Sequence, residues 1–467
     1  MEKFVKTLEA KFKLNGDYIF KTIKIGRKKI FLVFNEVLTS SGYVNDFILK
    51  RITKIKPKDF DNLMNILPDA NMKEITKEEA IDYMHKGFII IFSSNIIAIE
   101  AKANLDRGVS AIESELSIKG PKDAFCENFN TNLGLIRRRI KSENLIAERK
   151  EIGRSSKTSI GILYMSDIID NELLKQVKAK LSMIDIDGII DATYLRENLE
   201  AHKTFFPTVS STERPDKVAM ALLEGKIAII VDMSPYVLIM PTFLIDYFHT
   251  VDDYYQKPIN ISFIRMIRIL AFLMAIFTPA FYLAVTTHNF DLIPLDLLLS
   301  LKAQRESVPF PALIEAMLMS ISFEVLRESD IRMSSTTGSA VSILGGLILG
   351  DAAVSAGIIS PIMIIVIAIS AISGLVFPSI ELVSAIRWWR FIMMILASMF
   401  GVWGILLGTT ILLIRLYTLK SLGKPYLYPF FPFNKEEQKD AIIKVNNRGM
   451  KYRNPLLTNN RKRGFYR

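Results

Sequence analysis

RMIRILAFLMAIFTPAFYLAVTTH, residues 265–288, is the stretch that decides how the rest of the chain is read. From 269 to 290 there is no Asp, Glu, Lys or Arg. Such a run reaches the roughly 20 apolar residues that a helix needs to cross a bilayer. Residues 352–380 and 391–414 are equally free of charge, and 333–350 is uncharged up to Asp351. In hydrocarbon every backbone N–H and C=O must be paired internally, and no alternating barrel pattern is present, so these runs read as helices. Before about residue 265, charged residues recur every few positions. The expected fold class is therefore an N-terminal soluble α/β region of two lobes plus an all-α transmembrane helical domain. The boundaries fall at 1–110 and 111–264 for the lobes, 265–420 for the transmembrane domain and 421–467 for a basic tail.

The net charge of +11 has a local source: between Arg415 and Arg467 there are 13 Lys/Arg against 3 Asp/Glu. Basic residues flanking the last apolar run are what the positive-inside rule expects of a cytoplasmic tail, a reading preferred here to a nucleic-acid-binding one. The single cysteine, Cys126, excludes an intrachain disulfide. His85, His202, His249 and His288 lie too far apart for metal-ligand spacing, so neither metal nor cofactor is expected. The start, MEKFVKTLEAKFKLNGDY, has no apolar core of signal-peptide length, so the first 264 residues are expected on the cytoplasmic side.

Within the soluble region one unit recurs. TKEEAIDYMHK (76–86) reads as a helix with capping-box spacing at Thr76 and Glu79, closed by Gly87 in a left-handed conformation. The strand FIIIF, the turn Ser93-Ser94-Asn95 and the strand IIAIEA follow. PDKVAMALLE (215–224) repeats the pattern, with Pro215 in the first turn and Gly225 at the end. KIAIIV, the turn Asp232-Met233-Ser234-Pro235 and YVLIMP complete it. Two related α/β lobes would produce this order, and so would chance recurrence of a common unit. RKKIFLVF (27–34) and SIGILYM (159–165) read as further strands. GRSSKTS (153–159) lacks the glycine before Lys157 that a phosphate loop needs and reads as a solvated loop. Arg137, Arg138 and Arg139 read as a charged helix face, the sharper alternative being a site for an anionic partner or lipid headgroup.

In the membrane half four crossings are expected, at about 267–287, 338–357, 359–379 and 391–415, with both termini cytoplasmic. Arg387 and Arg390 fit that count poorly, since they would lie outside, and a crossing within 292–326 gives a different solution. VPFPALIEAMLMSISFEVLRES (308–329) is apolar yet holds Glu315, Glu324 and Glu328. Glu315 and Glu324 are nine residues apart, about 900° around a helix, so they face opposite sides. Arg327 can pair with Glu324 at i+3. Glu315 has no local cation and is the better candidate for a functional carboxylate. Asp351 follows Gly345, Gly346 and Gly350, small residues that let helices approach closely. A carboxylate at mid-membrane costs about 2.5–3.5 kcal/mol and needs a partner or water. Asp351 is thus either a polar element beside an ion path or a helix-end residue at the interface.

These strings resemble the GerA family of spore germinant receptor A subunits. KGPKDAFCENFNTNLGLIRRR (119–139) carries the family's Gly120-Pro121 pair and its Arg137-Arg138-Arg139 run. STERPDKVAMALLEGKIAIIVD (211–232) carries Thr212, Glu213, Arg214, Pro215 and Asp216. VDDYYQ (251–256), the 265–288 helix, VPFPALIEAMLMSISFEVLRE, GLILGDAAVSAGIISP (346–361) and SLGKPYLYPFFPF (421–433) follow in order. Two departures stand out: Ser334 to Thr337 lacks a proline often found there, and the tail from Asn454 matches weakly. The resemblance implies a subunit of the inner spore membrane. Its partners would be a transporter-like B subunit and a lipoprotein C subunit, with a homo-oligomer providing the path for ion release in response to small nutrients. The same signatures occur in the paralogous AF-type stage V sporulation subunit of the dipicolinate-release machinery. No nucleophile–base pair or metal constellation is present in the sequence, so an enzyme is not expected. Few crossings, and no repeat in the membrane half, argue against a stand-alone transporter.

Overall fold

The computed structural model describes the chain except for residues 27, 56–62, 68–70, 104–109, 112–114, 116, 118, 202–203, 333–345, 347, 349, 447–448, 459, 461 and 464–467. The first lobe begins with α1 (Glu2–Lys11), β1 (Tyr18–Ile25), β2 (Lys28–Asn35) and β3 (Met72–Glu74). It continues with α2 (Ala80–His85), β4 (Phe88–Phe92) and β5 (Ile96–Glu100). The second lobe contains α3 (Phe129–Arg139), β6 (Leu145–Ile152), β7 (Thr158–Met165), α4 (Asn171–Met183), α5 (Ala192–Leu199) and β8 (Ser210–Thr212). It ends with α6 (Pro215–Leu223), β9 (Ile227–Val231) and β10 (Val237–Met240).

Each lobe builds one antiparallel five-stranded sheet, in the order β1-β2-β4-β5-β3 and β6-β7-β9-β10-β8. The two orders are the same connectivity: strands one, two, four, five and three of each lobe. The recurring unit quoted from the sequence is α2-β4-β5 in one lobe and α6-β9-β10 in the other. Its glycines serve the same purpose, since Gly87 (φ +84°) and Gly225 (φ +91°) both close their helix in the left-handed region. An added Cβ at Gly87 would stand 2.9 Å from the Leu38 carbonyl, so only glycine fits. Thr76 N–H donates to Glu79 at 2.9 Å, as the capping-box spacing requires.

Residues of β4 and β9 are buried on both faces because helices cover both sides. Ile90 and Phe92 pack under Val5, Leu8 and Met84, whereas Ile89 and Ile91 pack on Val44, Ile48 and Ile52. The second sheet alternates likewise. Ala228 and Ile230 meet Leu133 and Val218, and Ile227 and Ile229 meet Leu173 and Leu195. This last core does not stop at the lobe. It runs without a break through Phe248 and Phe272 into the helical half, so lobe two and the helices share one interior.

The helical half consists of α7 (Pro258–Thr287), α8 (Leu295–Arg305), α9 (Ala312–Arg332), α10 (Pro361–Gly374), α11 (Ile380–Phe400) and α12 (Val402–Thr418). Helix α7 starts at Pro258, seven residues before the expected boundary, because Pro258 occupies its first turn. Helices α7 and α11 are long and apolar enough to cross a membrane. Ser370 Oγ donates to the Ala275 carbonyl at 2.7 Å, and the Phe377 ring lies 6.3 Å from that of Phe272, so α10 runs antiparallel to α7. The expected 338–357 crossing falls largely outside the described residues.

The expected crossing at 391–415 is corrected. The helix stops at Gly401 (φ +60°, ψ −139°), and α12 folds back on α11. An added Cβ on Gly404 would sit 2.0 Å from the Leu396 carbonyl, and one on Gly408 would sit 2.5 Å from Met393 Sδ. An uninterrupted apolar run hid the turn, because hydropathy does not distinguish a glycine in a helix from a glycine at a reversal. Gly404→Val is expected to lower stability in detergent by about 3 kcal/mol through overpacking. Gly374→Ala, where an added Cβ meets nothing within 4 Å, should leave thermal unfolding unchanged.

The basic tail is not free. After α12 the chain returns to lobe two, where Ser421 Oγ donates to the Thr208 carbonyl at 2.6 Å. Lys424 pairs with Asp170 at 3.0 Å, and Arg463 with Glu224 at 2.7 Å. The positive excess is thus partly spent on acids of the second lobe.

Candidate functional site

Three of the strings quoted from the sequence meet at the edge of lobe two. Arg214 precedes α6, where Pro215 opens the first turn, and its guanidinium is 1% exposed. Nε and Nη2 donate to the two carboxylate oxygens of Asp216 at 3.1 and 2.8 Å. Nη2 also donates to the Pro121 carbonyl at 3.2 Å, and Nη1 to that of Glu115 at 3.1 Å. Tyr255 Oη donates to Asp216 at 2.9 Å, and its ring lies against Gly120, where an added Cβ would come within 2.6 Å. Gly120 (φ +119°) therefore serves both a left-handed turn and a close ring contact. Thr212 Oγ1 donates to Glu115, and Glu213 accepts the Glu115 N–H at 2.9 Å. Gly120, Pro121, Thr212, Glu213, Arg214, Pro215 and Asp216 thus form one cluster, sealed by the 251–256 connector.

That connector carries the contact into the helices. Asp253 is fully buried at the end of a short helical turn, where Thr250 Oγ1 donates to it at 2.9 Å. Arg265 Nε donates to Asp253 at 3.0 Å, and Arg268 Nη1 reaches both its oxygens at 2.9 and 2.8 Å. Three residues apart, these arginines project from one face of α7. Burial opposes ionisation of Asp253, but the hydrogen bonds and charges of Arg268 and Arg265 outweigh it and hold its carboxyl below the usual range. From the tail, Asp440 accepts from Arg265 at 3.0 Å and from Tyr254 Oη at 3.2 Å, and Lys444 Nζ donates to the Asp253 carbonyl. Connector, first helix and tail are thereby locked at one charged joint. A cavity of about 920 Å³ opens beside it, lined among others by Asp246, His249, Tyr254, Glu437 and Lys444. Burial, reinforced by Glu224, pushes Glu437 up to about 7.

Within the bundle, Glu315 is fully buried and accepts both N–H and Oγ–H of Ser360, at 3.1 and 2.9 Å. Ser360 is the N-cap of α10, so the carboxylate lies at a positive helix end. No cation lies within a helical turn of Glu315, but folding brings Arg305 Nε to 3.4 Å from α8. Glu324 pairs with Arg327 at 2.9 Å, as its spacing predicts, and also with Arg387 at 3.0 Å and Arg390 at 2.9 Å. Arg387 and Arg390, which fit the four-crossing count poorly, sit on α11, and Arg390 is buried. Asp351 is exposed on a helical stretch, with no ion pair to any described residue. Gly345 lies outside the described residues. An added Cβ on Gly346 or Gly350 would meet Leu326 or Ile364 only at 4.0 or 3.9 Å, so among the described residues of the helical half closer glycine contacts are found at Gly404 and Gly408.

Arg137 departs from its expected place on a charged face. It is 1% exposed and spans the two lobes, with Nε and Nη2 on Asp17 at 2.9 and 3.0 Å and Nη2 on Asn15 at 3.1 Å. Arg139 Nη2 donates to both carboxylate oxygens of Asp123 at 2.6 and 2.7 Å, and Arg138 alone of the three is exposed. Sequence reasoning missed Asp253, Arg265, Arg268 and Asp440. The available signal was the i, i+3 arginine pair just inside an apolar helix, which demands a buried anion.

A family model described as the Bacillus/Clostridium GerA spore germination protein matches residues 6–456. Spore germination protein KA of Bacillus subtilis (strain 168) is 35% identical over 446 residues, covering 92% of this chain and 82% of that protein. Spore germination protein GerQA of Bacillus cereus is 35% identical over 470 residues, covering 99% and 93%. The B. subtilis membrane protein YfkQ is 34% identical over 441 residues, covering 92% and 86%. Among solved structures, the N-terminal domain of the A subunit of the Bacillus megaterium spore germinant receptor GerK3 is 26% identical. It covers 51% of this chain and 94% of that one, with a TM-score of 0.38.

Proposed function

The chain belongs to the Bacillus/Clostridium GerA spore germination family, and on that premise we propose that it is the A subunit of a germinant receptor in the inner spore membrane. It couples nutrient sensing by a transporter-like B subunit and a lipoprotein C subunit to ion release, as an oligomeric, channel-forming component. The observation that carries this reading is the joint at Asp253, which ties the second lobe to α7 through buried ion pairs. A ligand signal can shift a channel only through a contact that differs between two states, and a rigid joint is the part that transmits it.

Residence in lipid is supported by apolar side chains that the single chain leaves exposed on its helices, such as Ile259, Phe263, Leu270, Phe281, Trp403 and Leu413. The docking of the tail on lobe two supports cytoplasmic placement of both termini. An exposed Asp351 in an apolar setting supports a second copy, or water, on that face. Gly346 and Gly350 on the same stretch leave room for such a copy.

Reconstituted in vesicles with its partners, the receptor should release ions on addition of nutrient. Asp351→Asn should reduce that flux about tenfold, a barrier change of about 1.4 kcal/mol, with assembly intact by size-exclusion chromatography. Glu315→Gln should instead lower thermal stability, since Glu315 caps α10. Nutrient-dependent flux equal to wild type in Asp351→Asn would reject Asp351 as part of the ion path.

A further inference from the structure

A second cavity, of about 670 Å³, lies between the lobes and away from the joint. Its floor is Leu38, Gly87, Phe88 and His85, all buried. Its rim is cationic: Lys73, Lys86 and Lys102 from the first lobe face Arg138 and Lys141 from the second, and all five are exposed. No acidic side chain lines it among the described residues. Asp82 and Glu100 pair with Lys86 and Lys102 from outside the lining, whereas Lys73 and Lys141 make no ion pair among the described residues. The Lys86 and Lys102 ammonium groups also lie over the Tyr83 and Phe88 rings, 5.2 and 5.5 Å from the centroids. Those contacts hold two of the charges at the cavity wall.

Beneath the floor lies the imidazole of His85. His85 is 5% exposed, with Nδ1 3.0 Å from Tyr18 Oη, and its Nε2 has no hydrogen-bond partner among the described residues. A buried polar nitrogen left unpaired costs about 1–3 kcal/mol. Burial, with help from Arg137, pushes His85 down to about 4, so the ring is neutral near pH 7. When Tyr18 donates to Nδ1, Nε2 carries the proton and is a donor.

We propose that this interlobe cleft binds a small, multiply charged anion, a phosphate or polycarboxylate compound, with lysines of both lobes around it. One negative charge would satisfy one wall. An anion with two or more charged groups bridges Lys73 on one lobe to Lys141 on the other. Binding therefore braces the lobes beside the Arg137–Asp17 pair and makes the soluble region responsive to a soluble effector, independently of where ions cross the membrane.

Calorimetric titration of the full-length protein in detergent, at constant ionic strength, tests this with inorganic pyrophosphate and with citrate. At least one should bind saturably at a single site. Lys73→Gln/Lys141→Gln, two exposed changes that leave both cores untouched, should weaken that binding at least about tenfold, and Lys73→Arg/Lys141→Arg should restore it. The proposal is overturned if neither anion binds more tightly than chloride, or if the glutamine variant binds as well as wild type.

Discussion

Asp253→Ala is expected to cost about 3–5 kcal/mol of stability, because it strands two buried arginines without their anion. Asp253 is fully buried, Arg265 is 1% exposed, and Arg268 makes two of its hydrogen bonds to the lost carboxylate. Thermal unfolding of the detergent-solubilised protein should show the loss, together with faster trypsin cleavage after Arg265 and in the released tail. Asp440→Asn, at the more exposed side of the same joint, should cost only about 1 kcal/mol, the usual size of a hydrogen bond lost at a partly solvated site. The folded Asp253 carboxyl lies below its ordinary value, so its contribution is present above the unfolded carboxylate range and fades as pH falls through the folded one. Wild type should therefore lose stability on acidification through a term that Asp253→Ala lacks. If Asp253→Ala melts like wild type and retains nutrient-dependent flux in the reconstituted receptor, the joint is not the coupling element.

Arg137→Met should be comparably damaging, and for a related reason. It leaves Asp17, whose side chain is wholly buried, with Asn35 as its remaining side-chain hydrogen-bond donor among the described residues. Removing one partner of a buried pair costs about 3–5 kcal/mol, while replacing both with apolar residues of similar size is often neutral. Asp17→Leu/Arg137→Met should therefore regain most of the stability lost in the single variant, giving a coupling energy of about 2–3 kcal/mol in a double-mutant cycle. Urea unfolding of the four proteins provides the cycle. Additive losses would mean that the lobes are held together by Val37 and Leu38 against the second core rather than by this pair.

Much of the architecture was legible because it depends on local pattern. FIIIF and KIAIIV are strands by composition, Gly87 and Gly225 close helices because only glycine enters the left-handed region cheaply, and charge-free runs mark the helical half. The cluster that joins Gly120-Pro121, Thr212 to Asp216 and Tyr255 was visible only as separate strings. Nothing in 119–139 tells of Tyr255, more than 100 residues away. Glu324 was read with Arg327 because that partner is three residues off, and nothing local to it points to the two arginines of α11 that complete its shell.

The order and chemistry of the segments were thus set by sequence alone: two α/β units, then apolar helices, then a basic tail. Those features follow from backbone preferences and from the cost of placing charge in an apolar medium, both of which act over one or two helical turns. The tertiary structure decided the reversal at Gly401, the burial of Arg137 between the lobes, the arginines around Asp253 and the cationic rim over His85. Each of these depends on which distant side chain arrives within about 4 Å, where the Coulomb and packing terms become large, and chain connectivity alone does not specify that neighbour.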